Sequence, residues 1–534
     1  MGLSARAFRL FVVQCRMFSG HIHLKPGLFF LRASFIALFF TTCTLAPLPT
    51  AEDKPFVVAL DSAPTQLDPR FATDAYSERI DHLLFSALVK VDKEGEIVPD
   101  LAERWEIKDN TRYTFYIRKD VRFHDGHSLT SEDVRYTYES ILDEATASPH
   151  KKTYEIIKRI ETPNATTISF ILEKPYAPFL VDIGRGIIPK HIAEKNPDQF
   201  SSRLVGSGPF SFVSYELDHA VELRAFPNYF GGKPDIQKLL FRIIPEDSTR
   251  LLELSKGNID LLQNAFPPDA IPRLQQDPKL KIEIAPSTTY SYLGFNLSDP
   301  VLKNKLVRQA IAHAIDKEKI TKYIFRGFAI PANNLLTNQH WAHVTTKEIV
   351  YNPQRGSQLL DEAKFLPDSS GTRFRLTYKT SQNELSRRVA EVIQEQLSRI
   401  GIAVTIKSYE WGTYYSDIKS GNFQIFSLSW VGVSDPDIYY DLFHSQSVPP
   451  NGSNRVRYQN ERIDHLVEEG RVIIDRDKRK IIYKEVQEIL AEELPYINLW
   501  HAQNVAVMKK AVKGYTLYPD GDFISLKEVR FYDF

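Results

Sequence analysis

The stretch Gly421–Ser445, GNFQIFSLSWVGVSDPDIYYDLFHS, decides the fold. Phe423, Ile425, Phe426 and Leu428 form an apolar run with Gln424, Ser427 and Ser429 between them. That pattern predicts a mostly buried strand closing at Trp430. Gly432, Ser434, Asp435, Pro436 and Asp437 predict a turn into an apolar, aromatic helix over Ile438–Phe443. Asp435 suits the N-cap, Pro436 the first helical position, and Asp437 the positive end of the helix dipole. A strand that ends in a loop capping a helix is where open α/β sheets bind ligands. Trp430 is therefore expected to line a cleft beside Gly432, where backbone can approach a ligand closely. Asp435 and Asp437 are candidate charged contacts, with helix capping as the competing role. Tyr439 and Tyr440 follow on consecutive helix positions, so at most one faces the cleft.

The same lobe extends upstream. Phe374–Tyr378 reads as a strand, and Leu385–Ile400 as a helix with Leu385, Val389, Val392, Leu397 and Ile400 on one face. Gly401 ends that helix, Ile402, Val404 and Ile406 alternate as a strand, and Tyr409–Lys419 reads as another helix. This β-α-β-α-β order implies a parallel sheet in an α/β lobe. Downstream, Lys480–Leu490 is helical and Pro495–Trp500 extended.

The first half is organised differently. Phe56–Leu60 is a short apolar strand ending at Asp61, Ser62, Ala63 and Pro64. A helix starting at Thr73 or Asp74 places Ile80, Leu83, Leu84 and Leu88 on one face. Tyr113, Phe115 and Ile117 alternate as a half-buried strand, and Thr130–Asp133 reads as a capping box. Val205-Gly206-Ser207-Gly208-Pro209-Phe210 is a tight backbone turn into a strand. It has no P-loop lysine and does not follow G-x-S-x-G.

With 534 residues the chain is too long for one core and suits two or three subdomains. Its 67 basic and 67 acidic residues give no net field toward nucleic acid or an anionic membrane. Arg32 precedes an uncharged run, Ala33–Leu45, of signal-peptide rather than membrane-spanning length. Residues 1–51 are thus expected to be an export leader, with Met17 as an alternative start. Both cysteines, Cys15 and Cys43, fall inside it, so the exported body has no disulfide and no cysteine nucleophile. A lipid anchor on Cys43 is the alternative, disfavoured by Phe40-Thr41-Thr42 as a lipobox. His124 and His127 flank an Asp125-Gly126 turn, but no third ligand stands at metal-site spacing, so no metal is expected. H-E-x-x-H and G-x-S-x-G are also absent, and the secreted hydrolase that would need them is the disfavoured reading.

Leu67-Asp68-Pro69, Pro99-Asp100-Leu101-Ala102-Glu103-Arg104-Trp105-Glu106, Val121–Gly126, Ser131-Glu132-Asp133-Val134 and Gly206–Phe210 occur in that order. Asn228–Pro234, Gly257-Asn258-Ile259-Asp260 and Arg308–Asp316 follow. This ordered set, spanning nearly the whole body, resembles the family 5 extracellular solute-binding proteins of ABC importers, the dipeptide-, oligopeptide- and nickel-binding group. The resemblance implies an α/β, two-lobed periplasmic-binding-protein fold of the large cluster C type, with an extra subdomain in the first lobe. The first lobe would cover residues 52–286 plus 504–534, and the second 287–503. It further implies a periplasmic, monomeric, non-enzymatic receptor without a cofactor. Such a receptor closes on a solute, an oligopeptide in the leading reading, and delivers it to an inner-membrane permease. A metal chelate, an opine or an oligosaccharide are the alternatives, the chelate with His444 and His501 as candidate contacts.

Two departures bear on specificity. Dipeptide binders of the family carry an aspartate three residues after the tryptophan, where this chain has Val433; Asp435 is the nearest replacement. They also place an arginine before the long helix, where Lys379–Glu384 has only Lys379, a point charge instead of a bidentate fork. Free dipeptides are therefore expected to bind weakly or not at all. Ser62 and Ala63 are the first-lobe candidates, on the resemblance and their position at the strand end.

Overall fold

The computed structural model describes residues 54–195 and 200–531. The expected leader, with Cys15, Met17 and Cys43, lies outside the described residues.

Two long strands, Leu280–Phe295 and Tyr496–Lys509, form the spine of the molecule. They pair antiparallel from Leu280 opposite Lys509 to Gly294 opposite Tyr496. Beyond Tyr496–Lys509 the sheet continues through Leu261–Gln263, Phe56–Leu60, Lys238–Ile243, Ala220–Ala225 and Phe210–Glu216. Beyond Leu280–Phe295 it continues through Ile425–Trp430, Phe374–Ser381 and Ile402–Tyr409. The last three are mutually parallel, as their β-α-β-α-β order requires, and Ile425–Trp430 then joins the spine antiparallel. A separate antiparallel sheet orders Ala102–Lys108, Arg112–Ile117, Thr167–Leu172 and Ile157–Asn164.

Helices cover these sheets by burying one apolar face each. Glu384–Ser398 buries Val389, Ala390, Ile393 and Leu397, and its buried Gln396 is satisfied by accepting the Asp316 N–H at 3.1 Å. The valine, isoleucine and leucine each contribute about 1.5–3 kcal/mol. Ser131–Leu142 opens with the expected capping box, Thr130 N donating to Asp133 Oδ2 at 2.9 Å. Three boundaries differ from expectation. Tyr409 ends its strand and Glu410 caps the next helix, Trp411–Ser420, by accepting from Gly412 and Thr413 N–H. Leu88 lies beyond the helix Ala75–Leu84, which stops at an extended Phe85. Asp437 occupies the N-cap of Ile438–Phe443 without a side-chain bond of its own, while Asp435, two residues earlier, accepts the Asp437 N–H through Oδ1 at 2.8 Å.

The spine ladder shifts register twice, between Pro286 and Tyr290 and again between Ser291 and Tyr292. At the first break, Pro286 lies opposite Gln503 and Tyr290 opposite His501. Within the break, Thr288 N–H donates to Pro519 O at 2.9 Å, and Thr289 N–H to Ser287 Oγ at 3.0 Å.

The Val205–Phe210 turn is as tight as its glycines suggest. His124 is clasped by it, accepting from Gly206 N–H through Nδ1 at 3.1 Å and donating through Nε2 to Gly208 O at 3.1 Å. Burial pushes this imidazole down to about 4, in keeping with a neutral ring that accepts on one side and donates on the other. A Cβ on Gly206 would sit 1.9 Å from Leu84 O, and one on Gly208 2.4 Å from Leu83 O. Backbone cannot yield as a flexible side chain would. Gly206→Ala is expected to cost about 1–3 kcal/mol, the usual range for overpacking, read as a lowered urea midpoint. An unchanged midpoint would contradict this close approach.

Candidate functional site

Two adjacent cavities are lined by segments from both ends of the chain and from its middle. The first, of about 450 Å³, is walled on one side by Thr73–His82, Val91–Glu96 and Pro519–Asp522. Thr337–Trp341, Val431–Ser434 and Arg476 supply the other side. The second, of about 380 Å³, runs deeper beside Asp81, Phe85, Asp100, His150, Asp182 and Arg185. Glu78, His82, Val91, Ser434, Asp520 and Asp522 line both, so the two lie side by side and share a wall. Each alone falls in the range of small-ligand sites, about 300–1,000 Å³.

Local structure explains these walls. The helix Ala75–Leu84 buries Ile80, Leu83 and Leu84, which leaves Glu78 and His82 on the face toward the cavity. His82 Nδ1 pairs with Asp522 across to the C-terminal segment. Burial works against its charge, but the Asp522 carboxylate prevails and pushes the ring up to about 9. Asp520 is raised above the usual carboxylate range by burial and by Asp522 beside it. Opposite, His340 donates through Nε2 to Ser434 O at 3.1 Å and accepts Ala342 N–H at Nδ1, fixing the loop after Trp430. Arg476 stacks over Trp341 at 4.9 Å and reaches across to Glu96 with bonds of 3.0 and 2.8 Å, joining the two walls.

The sequence candidates divide sharply. Gly432 and Val433 line the first cavity, together with Val431, which is half exposed. Gly432 has φ +72°, the left-handed backbone that favours glycine. Trp430 ends its strand as expected, but it packs beneath Arg455, 4.4 Å from the ring centre, and lines neither cavity. Asp435 is held by both terminal nitrogens of Arg479, at 2.6 and 3.0 Å. Asp437 is held by Arg471 Nε at 2.8 Å, and burial still pushes it up to about 6. Tyr439 is buried and donates to Asn334 Oδ1 at 2.9 Å, while Tyr440 carries the Arg471 guanidinium on its ring face. Lys379 is buried against Asp417 at 2.6 Å. Ser62 and Ala63 also line neither cavity. Tyr76 OH donates to Asp61 and Tyr215 OH to Pro64 O, which fastens the segment carrying them to other elements. His444 is committed at both nitrogens, to Glu468 and to the Gln446 N–H, whereas His501 meets Asn334 O through Nε2 and keeps a buried Nδ1 without a partner; neither lines a cavity.

The residues that sequence reasoning missed are Glu78, His82, Trp341, Arg476, Asp520 and Asp522. The one available signal was helical spacing, which puts Glu78 and His82 one turn apart off the apolar face. Trp341 and the two aspartates lie in segments without periodicity.

Fold and cavity together define a solute-binding protein. The family described as bacterial extracellular solute-binding proteins, family 5 Middle, matches residues 96–450, and the chain belongs to this family. It is 28% identical over 530 residues to the dipeptide-binding protein of Escherichia coli (strain K12), covering 93% of this chain and 97% of that one. The structure is similar to the oligopeptide-binding protein AppA of Bacillus subtilis in complex with a nonapeptide. There the TM-score is 0.78 at 28% identity, over 90% of this chain and 99% of that one. It is also similar to NikZ of Campylobacter jejuni in complex with Ni(L-His), with a TM-score of 0.80 at 26% identity, over 89% and 99%. Among the described residues no helix is long and apolar enough to cross a membrane.

The His82–Asp522 pair gives the site a pH signature. Its folded-state value lies above that of a free histidine, so its stabilisation is fully present below about pH 6.5. That stabilisation is lost as pH rises through about 9. The thermal midpoint of the parent protein is expected to exceed that of His82→Gln at pH 6, with the gap closing by pH 10. A gap independent of pH would refute the pairing.

Proposed function

We propose that this protein is the receptor of an ABC importer and that its cargo is an oligopeptide held in the adjacent cavities. One observation carries the peptide reading. Val431, Gly432 and Val433 continue past the end of strand Ile425–Trp430 along the cavity wall. Among the described residues no protein group accepts their backbone N–H bonds. A cavity edge with unpaired main-chain donors suits an extended peptide, which can pair with it as an added strand does. The family's name and the peptide-binding proteins to which the chain is similar support the same reading.

In this reading the lobes are residues 52–286 plus 504–534 and residues 287–503. They rotate about the ladder break at Ser287–Thr289, and closure over the peptide brings Arg476 to Glu96. The receptor is a periplasmic monomer, binds without chemistry on its cargo, and presents the closed form to an inner-membrane permease.

The charges argue for length in the cargo. Val433 brings no carboxylate, Asp435 and Asp437 are neutralised by their own arginines, and Lys379 by Asp417. A free dipeptide, with both termini charged, lacks here the aspartate and arginine that the family's dipeptide binders offer. It would depend on the charges of the opposite wall, Glu78, Asp520 and Asp522. An unmatched terminus in a desolvated space costs several kcal/mol. A longer peptide spreads its binding over main-chain bonds. Native mass spectrometry of gently purified protein is expected to show a spread of added masses matching peptides of more than two residues. Calorimetry with free dipeptides is expected to show no micromolar affinity. A single discrete non-peptide mass would overturn the cargo, and a micromolar dipeptide the length.

A further inference from the structure

The turn after strand Arg112–Ile117 carries Asp125 and His127, and the short helix Lys190–Ala193 brings His191, distant in sequence, against them. Asp125 Oδ2 is 2.7 Å from His191 Nε2 and 3.1 Å from His127 Nδ1. The two imidazole rings are 4.1 Å apart, and one ligand atom from each of the three residues falls within 4.8 Å of the others. None of the three lines either cavity.

We infer that Asp125, His127 and His191 form a binding site for a divalent transition-metal ion of the zinc type, separate from the solute cleft. Zinc bonds to imidazole nitrogen and carboxylate oxygen are about 2.0–2.2 Å, so neighbouring ligand atoms in a tetrahedral site stand roughly 3.3–3.5 Å apart. The present separations are within a few tenths of an ångström of that edge for His127 and within an ångström for His191. Two imidazoles and one carboxylate select zinc, nickel or copper over magnesium and calcium, which take all-oxygen sets. All three side chains reach solvent, which supplies the entry path and the fourth ligand.

Both arms of the site are held before any ion arrives. Asp125 Oδ1 accepts the His127 N–H at 3.1 Å, Gly126 takes φ +91°, and Arg122 Nη1 donates to Gly126 O at 2.8 Å. On the other arm, the capping-box residue Asp133 accepts the Lys190 N–H at 3.0 Å, fixing the start of the helix that carries His191. His124 takes no part, since both its nitrogens are committed to the glycine turn. The ion ties two cores together. Phe123 and Leu129, flanking the turn, pack in the core of the four-stranded sheet. Ala193, on the helix, packs in the core of the main sheet. Its role is that of a structural clip.

The test uses the full chain, stripped with chelator and dialysed, titrated with Zn²⁺ and in parallel with Mg²⁺. Calorimetry and the thermal midpoint are the readouts. A Zn²⁺-dependent rise in the midpoint is expected, with none from Mg²⁺. In His127→Gln and in His191→Gln, zinc affinity is expected to fall at least about tenfold, the loss that even outer-shell changes produce, while bound peptide masses stay unchanged. Asp125→Asn keeps the turn's acceptor and is expected to weaken zinc as well, which separates lost ligation from a disturbed turn. No zinc-dependent rise in the parent overturns the site, as does zinc affinity unchanged in the histidine variants.

Discussion

Everything in this molecule hangs on the antiparallel pairing of Leu280–Phe295 with Tyr496–Lys509. Each strand is long enough to run from one half of the sheet into the other, so the two halves share main-chain hydrogen bonds. A strand pair resists stretching but tolerates local twist, above all where its ladder is interrupted. The interruption at Ser287–Thr289 adjoins Pro519, and the segment Pro519–Asp522 is itself part of the cavity wall. Backbone geometry at the crossing and side-chain chemistry at the cleft are therefore physically contiguous.

Charge pairing then shapes what the cleft can offer. Putting a carboxylate out of reach of water is costly unless a cation with good geometry meets it. Asp435 and Asp437 meet that requirement through Arg479 and Arg471, guanidinium groups from the helix Arg476–Glu493 and the end of Glu461–Val472. These pairs hold the loop after Trp430 in place and take its two aspartates away from the ligand. Acidity enters the cavity from the other wall instead, through Glu78, Asp520 and Asp522, with His82 as a partial counterweight.

The deeper cavity adds a second kind of constraint. Asp182 is pushed up to about 7 by burial, although Tyr176 OH donates to it at 2.9 Å. Tyr176 in turn lies 5.3 Å beneath Arg471, and Ala177 N–H donates to Arg471 O at 2.7 Å. These contacts add to the Glu96–Arg476 pair, so the space is bounded by polar links as well as by strands.

Much of the fold was legible in the sequence because it rests on local periodicity and local capping. The alternation of Ile402, Val404 and Ile406, the apolar face of Glu384–Ser398, the capping box at Thr130 and the tight glycines of Gly206–Gly208 need only near neighbours for their meaning. The strand ending at Trp430 and the cavity-lining Gly432 and Val433 belong to the same category. What only the tertiary structure decided is who partners whom across long sequence distances. Asp435 reads as a free cap or ligand contact until Arg479, 44 residues away, is seen to hold it. Lys379 reads as a point charge for cargo until Asp417 closes on it. His127 reads as part of a turn that lacks a third ligand until a helix 64 residues later brings His191 against the same aspartate. Periodicity records which face of an element is buried, whereas a charge or an imidazole acquires its role from whichever group the folded chain places within about 3 Å.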